Sequence, residues 1–214
     1  MIEFLPTRSR RPHATLLLAH GSGVRMNAPF MTDISEALAA NGVNVLRFEF
    51  AYMTGRASEH RRPPELSREF RDALNSVRSD EPVFIGGKSM GARIACMIAE
   101  DAYRHERIAG VVCLGYPFHA PSRPDLPRTA ELATLTAPTL ICQGTRDPFG
   151  TREQVSGYDL SGAVELFWLE DGDHDFKPGT LSDQAQQENF VRAAKAIARW
   201  TDKPMLPRSR RSAR

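Results

Sequence analysis

Short, continuously apolar runs alternate with segments of helical periodicity along almost the whole chain. The apolar runs lie at 14–20, 43–50, 82–87, 110–116, 138–144 and 164–170. Apolar runs without polar alternation are typical of parallel strands that are covered on both faces. Strands that alternate with helices predict an α/β fold, with a mostly parallel, twisted sheet and helices on both of its faces.

The helices between these strands are marked by apolar side chains three or four positions apart. Four helices are predicted in this way, and their apolar positions are, in chain order, Phe30, Ile34 and Leu38 in the first; Leu66, Phe70, Leu74 and Val77 in the second; most of 90–103 in the third; and Phe190, Ala194 and Ile197 in the last. Two long loops, 51–64 and 117–128, are rich in Pro and Arg, and each follows a strand. Because ligands of open α/β sheets bind at the carboxyl ends of the strands, we expect both loops to border the site.

Length and composition exclude several classes of protein. The 214 residues suit one domain, 1–202, followed by a basic tail, 203–214, that we expect to be flexible. No apolar run approaches the roughly 20 residues of a membrane helix, and the N-terminus lacks the apolar region of a secretory signal. Three widely spaced cysteines form neither a disulfide framework nor a zinc pattern. We therefore expect a cytoplasmic protein without a bound metal or a membrane partner.

The net charge of +2 conceals an uneven distribution. Five basic and no acidic residues lie in 203–214, so residues 1–202 carry a net charge of −3. Such a Pro-, Ser- and Arg-rich end is typical of a solvated chain terminus. A nucleic-acid partner is therefore not expected.

Residues 87–91, Gly-Lys-Ser-Met-Gly, form a G-x-S-x-G sequence between a predicted strand and a predicted helix. In this context the sequence is typical of a nucleophile elbow, a strained turn that presents the central serine above the sheet. The serine then lies at a helix N-terminus, where the helix dipole favours developing negative charge. The pattern predicts Ser89 as a nucleophile; the alternative is a glycine-rich turn with an incidental serine.

A serine nucleophile needs a base, and the base needs a carboxylate that orients it. Asp147 follows the strand 138–144, and His174 follows the strand 164–170. The chain order is thus Ser, Asp, His, which is the order that accompanies a nucleophile elbow of this kind. Taken singly, Asp147 could be a turn residue and His174 a solvated one, but together they favour a catalytic triad. The other nearby acids, Asp171, Asp173 and Asp175, are too close to His174 in sequence to receive its ring N–H.

Two backbone N–H groups complete the predicted site as an oxyanion hole. One is that of Met90, which follows the nucleophile, and the other is that of Ser22, in a Gly-rich strand exit. Candidate substrate-pocket residues, each of which could instead be structural, are His20, Tyr52, Lys88, Arg93 and His119. For Lys88 we favour a side chain that points sideways into solvent or a surface ion pair.

These motifs resemble the serine α/β-hydrolases, and more narrowly a dienelactone-hydrolase-related group. That group includes bacterial predicted hydrolases, testis-expressed protein 30 and the hydrolase-like subunit of the nonspecific-lethal chromatin complex. The resemblance spans about residues 12 to 200 and rests on LLLAHGSG, GGKSMGAR (86–93), GYPFHAP (115–121), QGTRDPFG (143–150) and GDHDF (172–176). It implies an α/β-hydrolase fold with a minimal cap or none, and catalytic roles for Ser89, Asp147 and His174. Dienelactone hydrolases proper have a cysteine where this chain has Ser89.

The function that we expect is hydrolysis of a small ester through a serine acyl-enzyme, without a cofactor. The alternative is a non-catalytic hydrolase-fold protein that acts as a binding or assembly module, because a fold does not establish a function. The sequence leaves the oligomeric state open between a monomer and a homodimer.

Overall fold

The computed structural model describes residues 2–54, 62–179 and 183–203. Its centre is a seven-stranded sheet in the order β1-β3-β2-β4-β5-β6-β7, in which β1 is antiparallel to β3 and every other pairing is parallel. The strands are β1 (Leu5–Thr7), β2 (Ala14–Ala19), β3 (Val43–Phe48), β4 (Val83–Lys88), β5 (Gly110–Leu114), β6 (Thr139–Gly144) and β7 (Val164–Leu169).

The six predicted strands are confirmed, and the mostly parallel sheet is the predicted one. β1 was not predicted, because three residues that include Pro6 carry no apolar run. Its place at the edge of the sheet fits the proline, which has no N–H to donate to a second neighbour.

The described residues form six helices. Five lie between successive strands, and α6 follows β7: α1 (Pro29–Ala40), α2 (Pro63–Ser76), α3 (Met90–Arg104), α4 (Ala130–Thr134), α5 (Arg152–Val155) and α6 (Asp183–Thr201). Pro29 and Pro63 each occupy the first turn, where a backbone N–H has no helical partner. The sequence missed α4 and α5, because helices of four or five residues are too short to show a periodicity.

The helices cover both faces of the sheet, as predicted. Helices α1 and α6 pack together over a buried cluster that includes Leu16, Phe84 and Phe190. Helices α2 and α3 pack over the opposite cluster, which includes Phe70 and Ile85. The central strands β2 to β6 are therefore buried on both sides, which explains their apolar sequences, whereas the edge strands β1 and β7 are only partly buried.

The chain order of the strands reverses around β2, which lies between β3 and β4. In open α/β sheets such a reversal leaves a crevice at the carboxyl ends of the strands, where ligands bind. The segments that follow β2, β4, β5, β6 and β7 meet at this edge. The fold thus places the predicted site residues, which come from distant parts of the sequence, at one end of the sheet.

No cap domain covers this edge within the residues that the structure describes. The predicted loop 51–64 is described only in part, because residues 55–61 lie outside the described residues. Its first four residues, Ala51–Thr54, form a 3-10 turn, and Pro63 is already the first residue of α2. Of the predicted tail, residues 204–214 also lie outside them. In the described ranges, no helix has the length and apolar character needed to cross a bilayer.

We predict that Gly86→Ala destabilises the fold by overpacking. A β-carbon at Gly86 would lie 2.1 Å from the carbonyl oxygen of Val112 in the neighbouring strand, so the sheet would have to move. The expected loss is about 1–3 kcal/mol in the free energy of unfolding, measured by urea denaturation. Gly162→Ala is the matched control, since nothing lies within 4 Å of its β-carbon position. Equal midpoints for the two variants would contradict the prediction.

Candidate active site

Ser89 forms the turn between β4 and α3 with a strained backbone. Its φ of 51° and ψ of −113° are rare for a residue other than glycine. The turn is held by hydrogen bonds from Ser89 N to Leu114 O (3.0 Å) and from Arg93 N to Ser89 O (3.1 Å). A serine before a helix often caps it, but the Ser89 side chain makes no capping hydrogen bond. Its hydroxyl is therefore not committed to the helix end.

The two glycines that flank Ser89 are required by close backbone contacts. A β-carbon on Gly87 would lie 2.4 Å from the carbonyl carbon of Gly91. A β-carbon on Gly91 would lie 2.7 Å from the carbonyl oxygens of both Ala19 and His20. The start of α3 therefore packs directly on the end of β2, and this contact fixes the direction in which the turn points.

Asp147 is fully buried in the loop after β6, and its two carboxylate oxygens accept hydrogen bonds from different sides. Oδ1 accepts the Phe149 N–H at 2.8 Å. Oδ2 accepts from Gln143 Nε2 and is paired with His174 Nδ1, each at 2.8 Å. These hydrogen bonds compensate the burial of the charge and fix the carboxylate's orientation.

His174 follows β7, and its ring lies against both Asp147 and Phe149. Because an ionised carboxylate can only accept, the 2.8 Å contact assigns the ring proton to Nδ1 and leaves a lone pair on Nε2. The Phe149 ring packs on the imidazole with centroids 4.3 Å apart. The imidazole is thus held in the tautomer and orientation that a general base requires.

Gly115 places His174 on the same edge as Ser89. A β-carbon on Gly115 would lie 3.2 Å from His174 Nδ1, and the preceding residue, Leu114, accepts the Ser89 N–H. A side chain here would have to displace His174 by a few tenths of an ångström, and the φ of 64° at Gly115 also favours glycine. The structure therefore places Ser89, Asp147 and His174 after the carboxyl ends of β4, β6 and β7, at one edge of the sheet.

The three acids beside His174 in sequence have other partners. Asp171 Oδ1 lies 2.7 Å from Arg146 Nε, and Asp175 Oδ1 lies 3.3 Å from Lys88 Nζ. Asp173 Oδ1 accepts the N–H groups of residues 175 and 177, which folds the loop that carries His174. The sequence-based choice of Asp147 as the partner of the His174 ring thus agrees with the geometry.

The predicted oxyanion donors lie beside the turn. Met90 is the first residue of α3, so its N–H has no helical acceptor. The loop after β2 touches the turn at Gly21, whose β-carbon position is 3.7 Å from Ser89 Cβ. Ser22 is the next residue of that loop and is exposed.

His20 is buried at the centre of the site and does not face a substrate pocket. Its Nδ1 lies 2.7 Å from Gly21 O, and its Nε2 lies 3.1 Å from Phe50 N. Since Nε2 accepts a backbone N–H, the ring is neutral and Nδ1 donates to Gly21 O. Burial also lowers the pKa of His20, against smaller opposing effects of the Gly21 hydrogen bond and Glu49. His20 therefore joins the Gly21–Ser22 loop to the segment after β3.

The other predicted pocket residues also have structural contacts. Tyr52 is 5% exposed and stacks on Phe50. His119 is 2% exposed, and its ring nitrogens lie 3.0 Å from Ala120 O and 3.2 Å from Gln154 Oε1. Arg93 is partly exposed, 3.8 Å from Glu131. As pocket residues, Tyr52 and His119 are therefore poor candidates, whereas Arg93 stays a prediction.

Of the two surroundings predicted for Lys88, solvent or a surface ion pair, solvent is wrong, whereas an ion pair with the exposed Asp175 is present at 3.3 Å. The residue is 4% exposed, so its side chain does not point into solvent. Side chains alternate between the two faces of a strand, so Lys88, four residues after Phe84, lies on the same face of β4. Helix α1 packs over that face. The Nζ atom of Lys88 donates a hydrogen bond of 2.7 Å to the carbonyl of His174.

Sequence reasoning missed two residues that contact the predicted acid and base, Gln143 and Phe149. The Gln143 amide is fully buried, donates to Asp147 and accepts the Tyr116 N–H at 2.8 Å. Both residues lie in QGTRDPFG, so that motif contained the signal. It could not show that the side chains turn inward toward Asp147 and His174.

Three cavities are formed by described residues, of about 820, 350 and 700 Å³. None of these three is lined by Ser89, Asp147 or His174. The described ranges contain no cluster of three or more His, Cys, Asp or Glu side chains that could hold a metal ion.

With this geometry established, comparison with known proteins identifies the family. The alpha/beta hydrolase domain family matches residues 12–202, and the chain belongs to this family. The predicted fold class is thereby confirmed. The narrower grouping with testis-expressed protein 30 and the nonspecific-lethal complex subunit stays a prediction.

Solved structures of hydrolases share the fold at low sequence identity. An alpha-beta serine hydrolase homologue from Coxiella burnetii is 21% identical over 89% of this chain and 90% of its own, with a TM-score of 0.70. A dienelactone hydrolase from Anabaena variabilis is 20% identical over 93% of this chain and 90% of its own, with a TM-score of 0.69. A serine hydrolase without lid from Xanthomonas campestris is 16% identical over 93% and 94%, with a TM-score of 0.67.

We predict that His20 makes folding stability fall in acid. Its pKa is lowered in the folded state, so below its ordinary value of about 6.5 the unfolded chain takes up a proton that the folded chain does not. The contribution of the neutral His20 side chain to the free energy of unfolding is complete above that pH and is lost as the pH falls toward the pKa of His20 in the folded state. Between pH 7.5 and 5.5 it approaches a limit of about 1.4 kcal/mol.

The measurement compares urea unfolding of the wild type and His20→Asn at pH 7.5 and 5.5. The variant should be less stable at pH 7.5, and its deficit should shrink at pH 5.5. His105→Asn, at a histidine with an exposed side chain, should keep the pH dependence of the wild type. A deficit of His20→Asn that is constant with pH would contradict a neutral buried imidazole.

Proposed function

We propose that this protein is a serine hydrolase that cleaves small esters through an acyl-enzyme. The family and the fold support a hydrolase. The single observation that carries the proposal is the His174–Asp147 pair, 2.8 Å apart, at the same sheet edge as a strained serine whose hydroxyl is not used as a helix cap.

In the proposed mechanism Nε2 of His174 takes the proton of Ser89 Oγ as that oxygen attacks the ester carbonyl. Asp147 holds the Nδ1 proton and stabilises the imidazolium, and Gln143 and Phe149 N–H hold Asp147. The oxyanion accepts hydrogen bonds from the N–H groups of Met90 and Ser22. The imidazolium then protonates the leaving alkoxide, and the acyl group stays on Ser89. His174 next removes a proton from water as the water attacks the acyl-enzyme, and the imidazolium returns this proton to Ser89 Oγ as the acid leaves.

The hydrogen bonds that fix the Gly21–Ser22 loop, which carries the proposed oxyanion donor, support this mechanism. The Gly21 carbonyl accepts from His20 Nδ1 at 2.7 Å and from the Val24 N–H at 3.3 Å, and these two hydrogen bonds fix the peptide group that leads to Ser22 N. Donors that are fixed before the reaction stabilise charge without reorganisation in the transition state. The location that the cysteine pattern favours for such an enzyme is the cytoplasm.

We predict that a fluorophosphonate probe labels the wild type and that Ser89→Ala abolishes the labelling. Asp147→Asn should slow it by about 10,000-fold, because the carboxamide favours the wrong tautomer of His174. Ser76→Ala, at an exposed serine at the end of α2, is the matched control and should label like the wild type. Labelling is read by intact-protein mass spectrometry, and circular dichroism confirms that each variant is folded.

A folded wild type that takes no label would overturn the enzyme proposal and favour the binding-module alternative. Label that persists in Ser89→Ala would instead place the nucleophile elsewhere.

We predict that short acyl chains are preferred, because no described residue forms a cap over the site. A deep apolar pocket would raise kcat/KM about fourfold for each methylene group that it buries. For p-nitrophenyl esters we expect kcat/KM to rise little beyond the butyrate. A continued rise to the decanoate would show a long acyl pocket and contradict the small-ester proposal.

A further inference from the structure

Lys88 places a buried ammonium between three separate parts of the fold. Its Nζ atom donates to His174 O at 2.7 Å, lies 3.3 Å from Asp175 Oδ1, and stands 5.0 Å from the centre of the Phe30 ring. Phe30 belongs to α1, Lys88 ends β4, and residues 174 and 175 lie between β7 and α6. One side chain thus joins the segment directly before Ser89 to the segment that carries His174.

Burial of this ammonium carries a cost that an apolar side chain would not. Moving an ammonium out of water costs several kcal/mol, and a buried ion pair is often replaced by apolar residues without loss of stability. Its ionic partner, Asp175, is 58% exposed at the side chain, so the pair is weakened by solvent. Stability of the fold is therefore a poor explanation for a lysine at this position.

What the lysine provides, and an apolar side chain could not, is a donor to the His174 carbonyl. Around that residue the loop is folded by other hydrogen bonds, from Phe176 N to Asp173 O and from Asp173 N to Lys177 O. In the part of the chain that the structure describes, Lys88 is the donor to His174 O. The imidazole is held by Asp147 at Nδ1, and the backbone of the same residue is held by Lys88.

The protonation state of Lys88 does not affect whether its side chain can donate a hydrogen bond to His174 O. Burial lowers the pKa of Lys88, while the carboxylates of Asp175, Asp147 and Asp173 act in the opposite direction. An amine and an ammonium both donate a hydrogen bond to a carbonyl. The contact with His174 O is therefore available in either protonation state.

We propose that Lys88 is a positioning residue for the base: it fixes the backbone of His174 relative to Ser89, so that Nε2 faces the serine hydroxyl. This inference rests on the proposed function, because it takes His174 as the base. Lys88 does not touch the reacting atoms. A displacement of about 1 Å of a reacting group can cost about 100-fold in rate, so a single hydrogen bond to the loop is sufficient for a large effect.

The test is Lys88→Met, which keeps the length of the side chain and removes its donor. We expect kcat to fall about 10- to 100-fold with KM nearly unchanged. The free energy of unfolding should stay equal to that of the wild type or increase, since a buried charge is removed. Lys177→Met is the matched control: it removes an exposed lysine three residues after His174 and should leave kcat unchanged.

A second variant separates the carbonyl contact from the ion pair. Asp175→Asn removes the carboxylate and keeps the bond from Lys88 to His174 O, so we expect kcat within about fivefold of the wild type. A loss in Asp175→Asn as large as that in Lys88→Met would assign the effect to the ion pair and overturn the proposal.

A spectroscopic readout makes the test independent of activity. The proton that His174 Nδ1 shares with Asp147 should give a strongly deshielded proton NMR signal, which Asp147→Asn removes. We expect Lys88→Met to shift or broaden this signal and Lys177→Met to leave it unchanged. If the wild type resists the fluorophosphonate probe but the signal responds to Lys88, the proposed function fails and the positioning role stands. If the probe reacts and neither kcat nor the signal changes in Lys88→Met, the positioning role is overturned.

Discussion

The site depends on the direct contact between the start of α3 and the end of β2. The α-carbon of Gly91 is so close to the carbonyl oxygens of Ala19 and His20 that any side chain would separate the two elements. This contact holds the helix against the sheet, and the sharp turn at Ser89 follows, because the chain must leave β4 and enter α3 within one residue. The same contact brings the loop after β2, with its candidate oxyanion donor, beside Ser89.

Around this contact, buried side chains and backbone groups hold the residues to which we assign proton transfer and oxyanion binding, and take no part in those steps themselves. Gln143 and the Phe149 N–H hold Asp147, His20 holds the Gly21 carbonyl, and Lys88 holds the backbone of His174. Each of these supports is buried or attached to a buried atom, so the low polarity around it strengthens the hydrogen bond and makes its loss costly. The site is thus rigid although its residues lie on loops.

The sequence predicted the six parallel strands and proposed three candidate triad residues for separate physical reasons. The central strands are apolar because both of their faces are buried, and the candidate residues were chosen by the order of the strand ends that they follow. The orientation of Lys88 could not be predicted, because alternation along β4 shows which face it shares with Phe84 but not that α1 and the His174 loop cover that face. The inward orientation of the Gln143 side chain likewise depends on contacts with residues far away in sequence.

The two histidines at the candidate site, His20 and His174, differ in how many of their ring nitrogens are already hydrogen-bonded. Both nitrogens of His20 are engaged with backbone groups, whereas Asp147 engages only Nδ1 of His174. An imidazole with no free lone pair cannot compete for the serine proton, even at the centre of a site. The fold thus fixes the His20 imidazole at both nitrogens and leaves one nitrogen of His174 available, and the backbone groups of Phe50 and Gly21 make this difference.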